Sequence, residues 1–286
     1  MSALRSTGAA LGRLMREDKL SFLGLVILVL LVLVGLFGPW LPLGDPTRIA
    51  AGPRLGPPSW AFPFGTDELG RSYLPRVVEG IRATFLLSIV AVSITAVIGS
   101  FFGMLAGYFR GVTDHLVARG ADILFAFPAI IVGLLVAAMM GPGQISAVAV
   151  ISIATIPLFI RVVRSVTLSV AGRGFVTASE VAGATPWRVM IVHILPNILG
   201  AVIVQLTYAM SIGMIIESTL SYLGLGVQPP QASLGSLLRE GSAYLTIAPW
   251  LVLSAGIVLS LAIMSVNLVG DAIRDAIEPL KGRTLT

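Results

Sequence analysis

The sequence predicts an all-α membrane protein, with six transmembrane helices and a cytoplasmic helix-turn-helix between spans four and five. Three observations carry this expectation. The 286 residues are 56% hydrophobic and only 12% charged, with a mean hydropathy of +0.95, against about 25% charged residues in soluble domains. Six apolar runs approach the roughly 20 residues that cross a hydrocarbon core of about 30 Å. Between the fourth and fifth lies a stretch, 173–197, holding Arg173, Glu180, Arg188 and His193. Lipid does not tolerate such groups, so this stretch lies in water or against another protein.

The spans fall at about 20–43, 85–108, 116–140, 145–163, 198–217 and 249–269. Arg13, Arg16 and Lys19 precede the first, as in a secretory signal, but its apolar part is too long and Gly38-Pro39-Trp40 is not a small-residue cleavage site, so it reads as an uncleaved span. The proline- and glycine-rich stretch 44–82 predicts an irregular outer segment. In the second span Gly99, Gly103 and Gly107 continue a face begun by Ala91 and Thr95, a seam that lets another helix backbone approach closely. Pro128 and Pro157 each remove a backbone hydrogen bond and should bend the third and fourth spans. Gly141-Pro142-Gly143-Gln144 is a tight outer turn between those two, and 220–248, with Pro229-Pro230, a longer outer loop. Residues 1–19 form a cytoplasmic segment, and 20–286 a single membrane domain.

Orientation follows from Lys and Arg, which concentrate in cytoplasmic loops. With the N-terminus inside, the inner segments hold Arg5, Arg13, Arg16, Lys19, Arg110, Arg119, Arg161, Arg164, Arg173, Arg188, Arg274, Lys281 and Arg283; the outer ones hold Arg48, Arg54, Arg71, Arg76, Arg82 and Arg239. The bias places both termini and the 173–197 stretch in the cytoplasm. Anionic lipid headgroups account for the net charge of +5, and nucleic acid is not implied.

Ionisable groups at membrane depth are costly and need a partner, water or the bundle interior. Asp122 follows Arg119 at a helical pairing distance. Glu217 is either a gate or path group near the outer end of span five, or a cap on a neighbouring helix. Asn267 reads as an interhelical hydrogen-bonding group or a pathway residue. Nothing points to catalysis. There is no cysteine, His115 and His193 have no companions at metal spacing, and Lys19 and Lys281 lack the Gly-x-x-x-x-Gly-Lys context of a P-loop. Energy from nucleotide would have to come through another chain.

The 173–197 stretch suits either a contact that receives it or a structural amphipathic loop at the headgroups. Val176 to Ala182 can form a short helix with small Ala178 and Ser179 on one side. Gly183 can make a sharp turn, and Pro186 to Ile194 can form a second helix with Pro186 in its first turn. Trp187 would anchor the base, with Glu180 or Arg188 at the rim. Pro196 would start the next span.

These residues resemble the Glu-Ala-Ala loop of ABC importer membrane subunits: Thr177-Ala178-Ser179, then Gly183, then His193-Ile-Leu-Pro-Asn197. Further blocks match in order: Phe64-Gly-Thr-Asp-Glu-Leu-Gly-Arg71, Gly107-Tyr-Phe-Arg-Gly111 with Asp114, Asp122-Ile-Leu-Phe-Ala-Phe-Pro128, Leu220-Ser-Tyr-Leu-Gly-Leu-Gly-Val-Gln-Pro-Pro230 and Asn267-Leu-Val-Gly-Asp-Ala-Ile-Arg-Asp275. Together they resemble the C-type permease subunit of dipeptide, oligopeptide and nickel ABC importers. The chain departs from the pattern at Ser72, often Asp; at Thr177-Ala178-Ser179, often Glu-Ala-Ala; and at Leu234, often Trp. The resemblance implies a non-enzymatic pore half in a bacterial or archaeal inner membrane. Its partners would be a B-type permease, two ATPase subunits or domains that bind the ATP and Mg, and an extracytoplasmic solute-binding protein. The implied coupling residues are Thr177, Ala178, Ser179, Glu180, Gly183, Ala184, Trp187 and Arg188, and the expected cargo is di- or oligopeptide. A stand-alone secondary transporter or channel is the competing reading; it would call for paired broken helices and mid-membrane acids.

Overall fold

The computed structural model describes residues 19–277. Residues 1–18, with Arg5, Arg13 and Arg16, and residues 278–286, with Lys281 and Arg283, lie outside the described residues, as do the two termini. The regular structure of the described residues is helical apart from one isolated bridge, Thr66 to Ser72. In order, the helices are α1 (Lys19–Phe37), α2 (Tyr73–Phe109), α3 (Gly111–Phe125), α4 (Ala129–Met140), α5 (Gln144–Ala171), α6 (Gly174–Val181), α7 (Pro186–Arg188), α8 (Leu195–Tyr222), α9 (Leu234–Ser242) and α10 (Pro249–Ile277). Five stretches are long and apolar enough to cross a membrane. A sixth span exists if α3 and α4, bent by 85° across a break of a few residues, are taken as one.

Most span bounds move outward from those expected, while the end of the first moves inward. α1 ends at Phe37 and continues only as a 3-10 turn, Gly38–Trp40, because Pro39 and Pro42 cannot extend an α-helix. α2 starts at Tyr73, inside the segment expected to be irregular. Its first turns hold Arg76, Glu79 and Arg82, whose charge hides the helix from a hydropathy reading, while Asp67 and Glu240 from elsewhere neutralise Arg76. α5 runs on past 163 to Ala171, and α10 past 269 to Ile277.

The glycine seam is a tight packing surface. A Cβ on Gly99 would fall 2.7 Å from Phe159, one on Gly103 2.7 Å from Val163 and one on Gly107 2.6 Å from Thr167. The α2 backbone therefore lies directly on α5, gaining dispersion contacts where lipid supplies no hydrophobic drive. Further up the same face Thr95 and Thr155 share a hydrogen bond of 2.8 Å. Pro157 stays inside α5; Pro128 separates α3 from α4.

Asp122 pairs with Arg161 of α5 at 2.8 Å and not with Arg119. The Arg161 guanidinium also covers the Phe125 ring at 4.6 Å. Arg164 holds Asp114 through a two-pronged contact, with Nη2 to Oδ2 at 2.7 Å. Arg161 prevails because the same guanidinium placement gains both the Asp122 carboxylate and the Phe125 ring face.

Candidate functional site

The 173–197 stretch forms a projecting elbow at one end of the bundle. α6 closes in a Schellman turn: Ala184 N–H donates to the Ser179 carbonyl at 3.1 Å and Gly183 N–H to the Glu180 carbonyl at 2.9 Å. Gly183 sits at φ +83°, a conformation that glycine adopts without steric cost. No atom stands within 4 Å of where its Cβ would be, so the turn faces open space. Thr177, Ala178, Glu180, Trp187 and Arg188 are exposed, and Ser179 and Ala184 are half-buried.

The second arm of the elbow differs from expectation. Pro186 does open a helix, but it is no separate element: α7, a π-helical segment Val189–Ile194 and α8 form one continuous rod, Pro186–Tyr222. Pro196 falls inside this rod. Proline lacks an N–H and crowds the carbonyl four residues back; the wider π turn before it, in which Leu195 N–H reaches the Met190 carbonyl, accommodates that defect without a break.

The elbow's underside is locked to the bundle. Val176, Val189, Met190 and Ile194 are buried in one cluster with Phe159, Val163 and Val170 of α5 and Ile198 and Val202 of α8. Glu180 does not stand at a free rim, because Tyr108 of α2 donates to its Oε1 at 2.7 Å. Trp187 lies nearly parallel to the Phe101 ring, centroids 6.2 Å apart and planes 12° apart. Tyr108 and Phe101 escape a sequence reading, since nothing local marks them as partners of residues over 70 positions away.

At the opposite end, buried charge fastens the 44–72 segment and α9 to α2. Arg76, 1% exposed, donates to Asp67 Oδ2 at 2.9 Å and forks onto Glu240 at 2.6 and 3.1 Å. Asp67 also accepts from Arg71 Nε at 2.6 Å and from the Leu69 and Arg71 amides at 2.9 Å. Glu217, 0% exposed, accepts from Thr84 at 2.9 Å and Ser221 at 2.7 Å, and the Thr84 hydroxyl in turn accepts the Leu234 amide at 3.2 Å. Ser233 and Ser236 complete a capping box at the start of α9. Nearby, hydrogen bonds from the Thr47 hydroxyl and amide hold the Asp45 carboxyl below the usual carboxylate range, and the bond from Tyr244 to Glu68 raises the phenol's pKa.

Between α8 and α10 lies a polar cleft of about 370 Å³ that also touches α5. Asn267 borders it and accepts from Ser211 Oγ at 2.7 Å through Oδ1. Gln205 and Asp271 join it there, and neither stands out in the sequence. The spacing of Asn267, Asp271 and Arg274 along one helical face was the available signal.

With this geometry in place, comparison with known proteins is informative. The family described as binding-protein-dependent transport system inner membrane component matches residues 99–283, and the N-terminal TM domain of oligopeptide transport permease C matches 11–58. The chain is 37% identical to the di/tripeptide transport system permease protein DppC of Pseudomonas aeruginosa, over 90% of this chain and 86% of the relative. It is 35% identical to the probable D,D-dipeptide transport system permease protein DdpC of Escherichia coli, over 97% and 93%. Its fold is similar to a chain of the MetNI methionine ABC transporter solved in an inward-facing conformation, at a TM-score of 0.61 and 20% identity, covering 72% of this chain and 97% of that one.

Proposed function

This chain belongs to the family of binding-protein-dependent transport system inner membrane components, and we propose that, as a permease subunit of an ABC importer, it carries di- or oligopeptides. It pairs with a B-type permease to form the pore. Two ATPase subunits or domains, which bind the ATP and Mg, dock at the elbow, and a solute-binding protein docks at the Arg76 end. The whole sits in the inner membrane of a bacterium or archaeon with both termini in the cytoplasm. The names of its relatives support the peptide cargo, and the Lys and Arg bias supports the orientation. The family assignment takes the place of the stand-alone secondary transporter.

One observation carries the coupling role: an exposed turn at Gly183 is continuous, through the π segment, with a membrane-spanning rod. Thr177, Ala178, Ser179, Glu180, Gly183, Ala184, Trp187 and Arg188 form the ATPase contact, with Tyr108 and Phe101 holding it to α2. ATP closes its binding subunits; the elbow follows, and α8 tilts with it. ATP shifts the permease only because docking free energy differs between its two conformations. Glu217 fastens α9 and Asn267 lines the path.

The test is reconstitution of the four-part complex. Since the chain has no cysteine, a single Ala182→Cys substitution reports sidedness. Peptide uptake that needs ATP on the side from which the introduced thiol is labelled is the expected outcome; labelling from the opposite side, or uptake indifferent to ATP, refutes the proposal.

A further inference from the structure

The cleft between α8 and α10 has the chemistry of a ligand site and not of a packing defect. The two helices run antiparallel and touch closely at Gly200, whose Cβ would fall 2.7 Å from Ile277, and at Gly270, which abuts Thr207. Ser211 and Asn267 then join them by a hydrogen bond. From Gly200 to Tyr208 the cleft runs eight residues along α8, about 12 Å at 1.5 Å per residue. That accommodates about three residues of extended chain at 3.3–3.6 Å each.

Several of its polar groups keep free bonding capacity. The Gln205 side chain is only 9% exposed, borders the cleft and has no hydrogen-bond partner among the described residues. The amide opens onto the cleft and is free to bond an occupant there. Asn267 spends its Oδ1 on Ser211, which leaves its NH₂ group as a donor. Asp271, one turn further along the same face, has no ion pair among the described residues. Arg274, also at the cleft, is already engaged.

We propose that this cleft binds the main chain of a short peptide during translocation, with Asp271 pairing with its free α-ammonium and Gln205 and Asn267 bonding its first amide unit. One helical turn, about 6 Å, separates Asn267 from Asp271, close to the span of the first two residues of an extended peptide. A primary amide offers both a donor and an acceptor, the complement of a peptide unit. A phospholipid headgroup would ask for an uncommitted cation here, and the free groups are a carboxylate and two amides. The inference rests on the importer reading and adds the place and chemistry of contact.

The cysteine-free chain makes the test direct. Ala201→Cys puts a thiol on the cleft wall, and its maleimide labelling rate is measured in the assembled, ATP-competent transporter. Alanyl-alanine should slow labelling about threefold at twice its half-saturating concentration, the factor 1 + [L]/Kd for one site. N-acetyl-alanyl-alanine should protect far less, and adding Asp271→Asn should make the two peptides equal. Labelling that ignores both peptides while ATP-driven peptide uptake persists overturns the cleft and spares the importer reading. Protection that tracks the phosphatidylethanolamine content of the vesicle and not peptide also overturns it. Absence of ATP-driven peptide uptake by the unmutated complex removes the importer reading, and this inference with it.

Discussion

The two ends of the bundle hold their shape by opposite means. At the Arg76 end, titratable groups and hydroxyls are buried and bonded to one another: Arg76 between Asp67 and Glu240, and Glu217 beneath Thr84 and Ser221. At the elbow the tip is exposed and held by a few contacts, while only its underside is buried. Buried, paired charge resists rearrangement, because breaking one bond leaves its partner short of a contact. An exposed turn on a rigid arm can be grasped and moved at little cost. The difference suits a scaffold end and a driven end.

Substitutions at the two ends sharpen or break that contrast. Arg76→Met removes three charge-assisted hydrogen bonds and leaves Arg71 alone to face Asp67 and Glu240; it should destabilise by about 3 kcal/mol, read as loss of detergent-solubilised protein or a large fall in melting temperature. A near-normal melting temperature would mean that the charge cluster is not a scaffold. Gly103→Leu overpacks the seam on Val163 and should cost about 1–3 kcal/mol, with Gly103→Ala milder. Trp187→Ala loses the stack on Phe101, worth about 0.5–1.5 kcal/mol; the expected signature is a modest thermal shift with ATPase stimulation by loaded binding protein reduced more than stability. Smallest in stability is Gly183→Asp, about 1 kcal/mol for a non-glycine residue at positive φ, since its side chain meets only open space. Its transport effect should be the largest of the four, with uptake lost or ATP hydrolysis uncoupled from it, measured in proteoliposomes. Wild-type uptake by Gly183→Asp would break the comparison.

Two prolines show how far the sequence can be read. It predicts a bend at both Pro128 and Pro157. Pro157 remains within α5, buried, on a helix packed along the α2 glycine seam. Pro128 lies at the 85° break between α3 and α4, flanked by exposed Phe127 and close to exposed Ile130. The residue type is the same, and neighbouring helices decide whether its missing hydrogen bond is absorbed within a helix or ends it. The third proline, Pro196, reads as a helix start and is absorbed by a π turn whose flanks are buried against α5. Pairing is equally illegible: Arg76 and Glu240 stand 164 residues apart, and the charge of the α2 N-terminus makes 73–84 read as loop.

What the sequence determined alone is what adjacent residues can encode. Apolar runs gave the spans, a glycine with its flanking small residues gave the turn at 183, and the ordered motifs gave the family. Tertiary structure alone decided which charges neutralise one another, which proline breaks its helix, that the elbow's second arm and α8 are one rod, and that Gln205, Asn267 and Asp271 face one cleft. Hydropathy and turn chemistry are local properties of the chain. Neutralisation, backbone repair and cleft formation depend on groups from separate helices meeting at hydrogen-bond distance, which only the folded packing establishes.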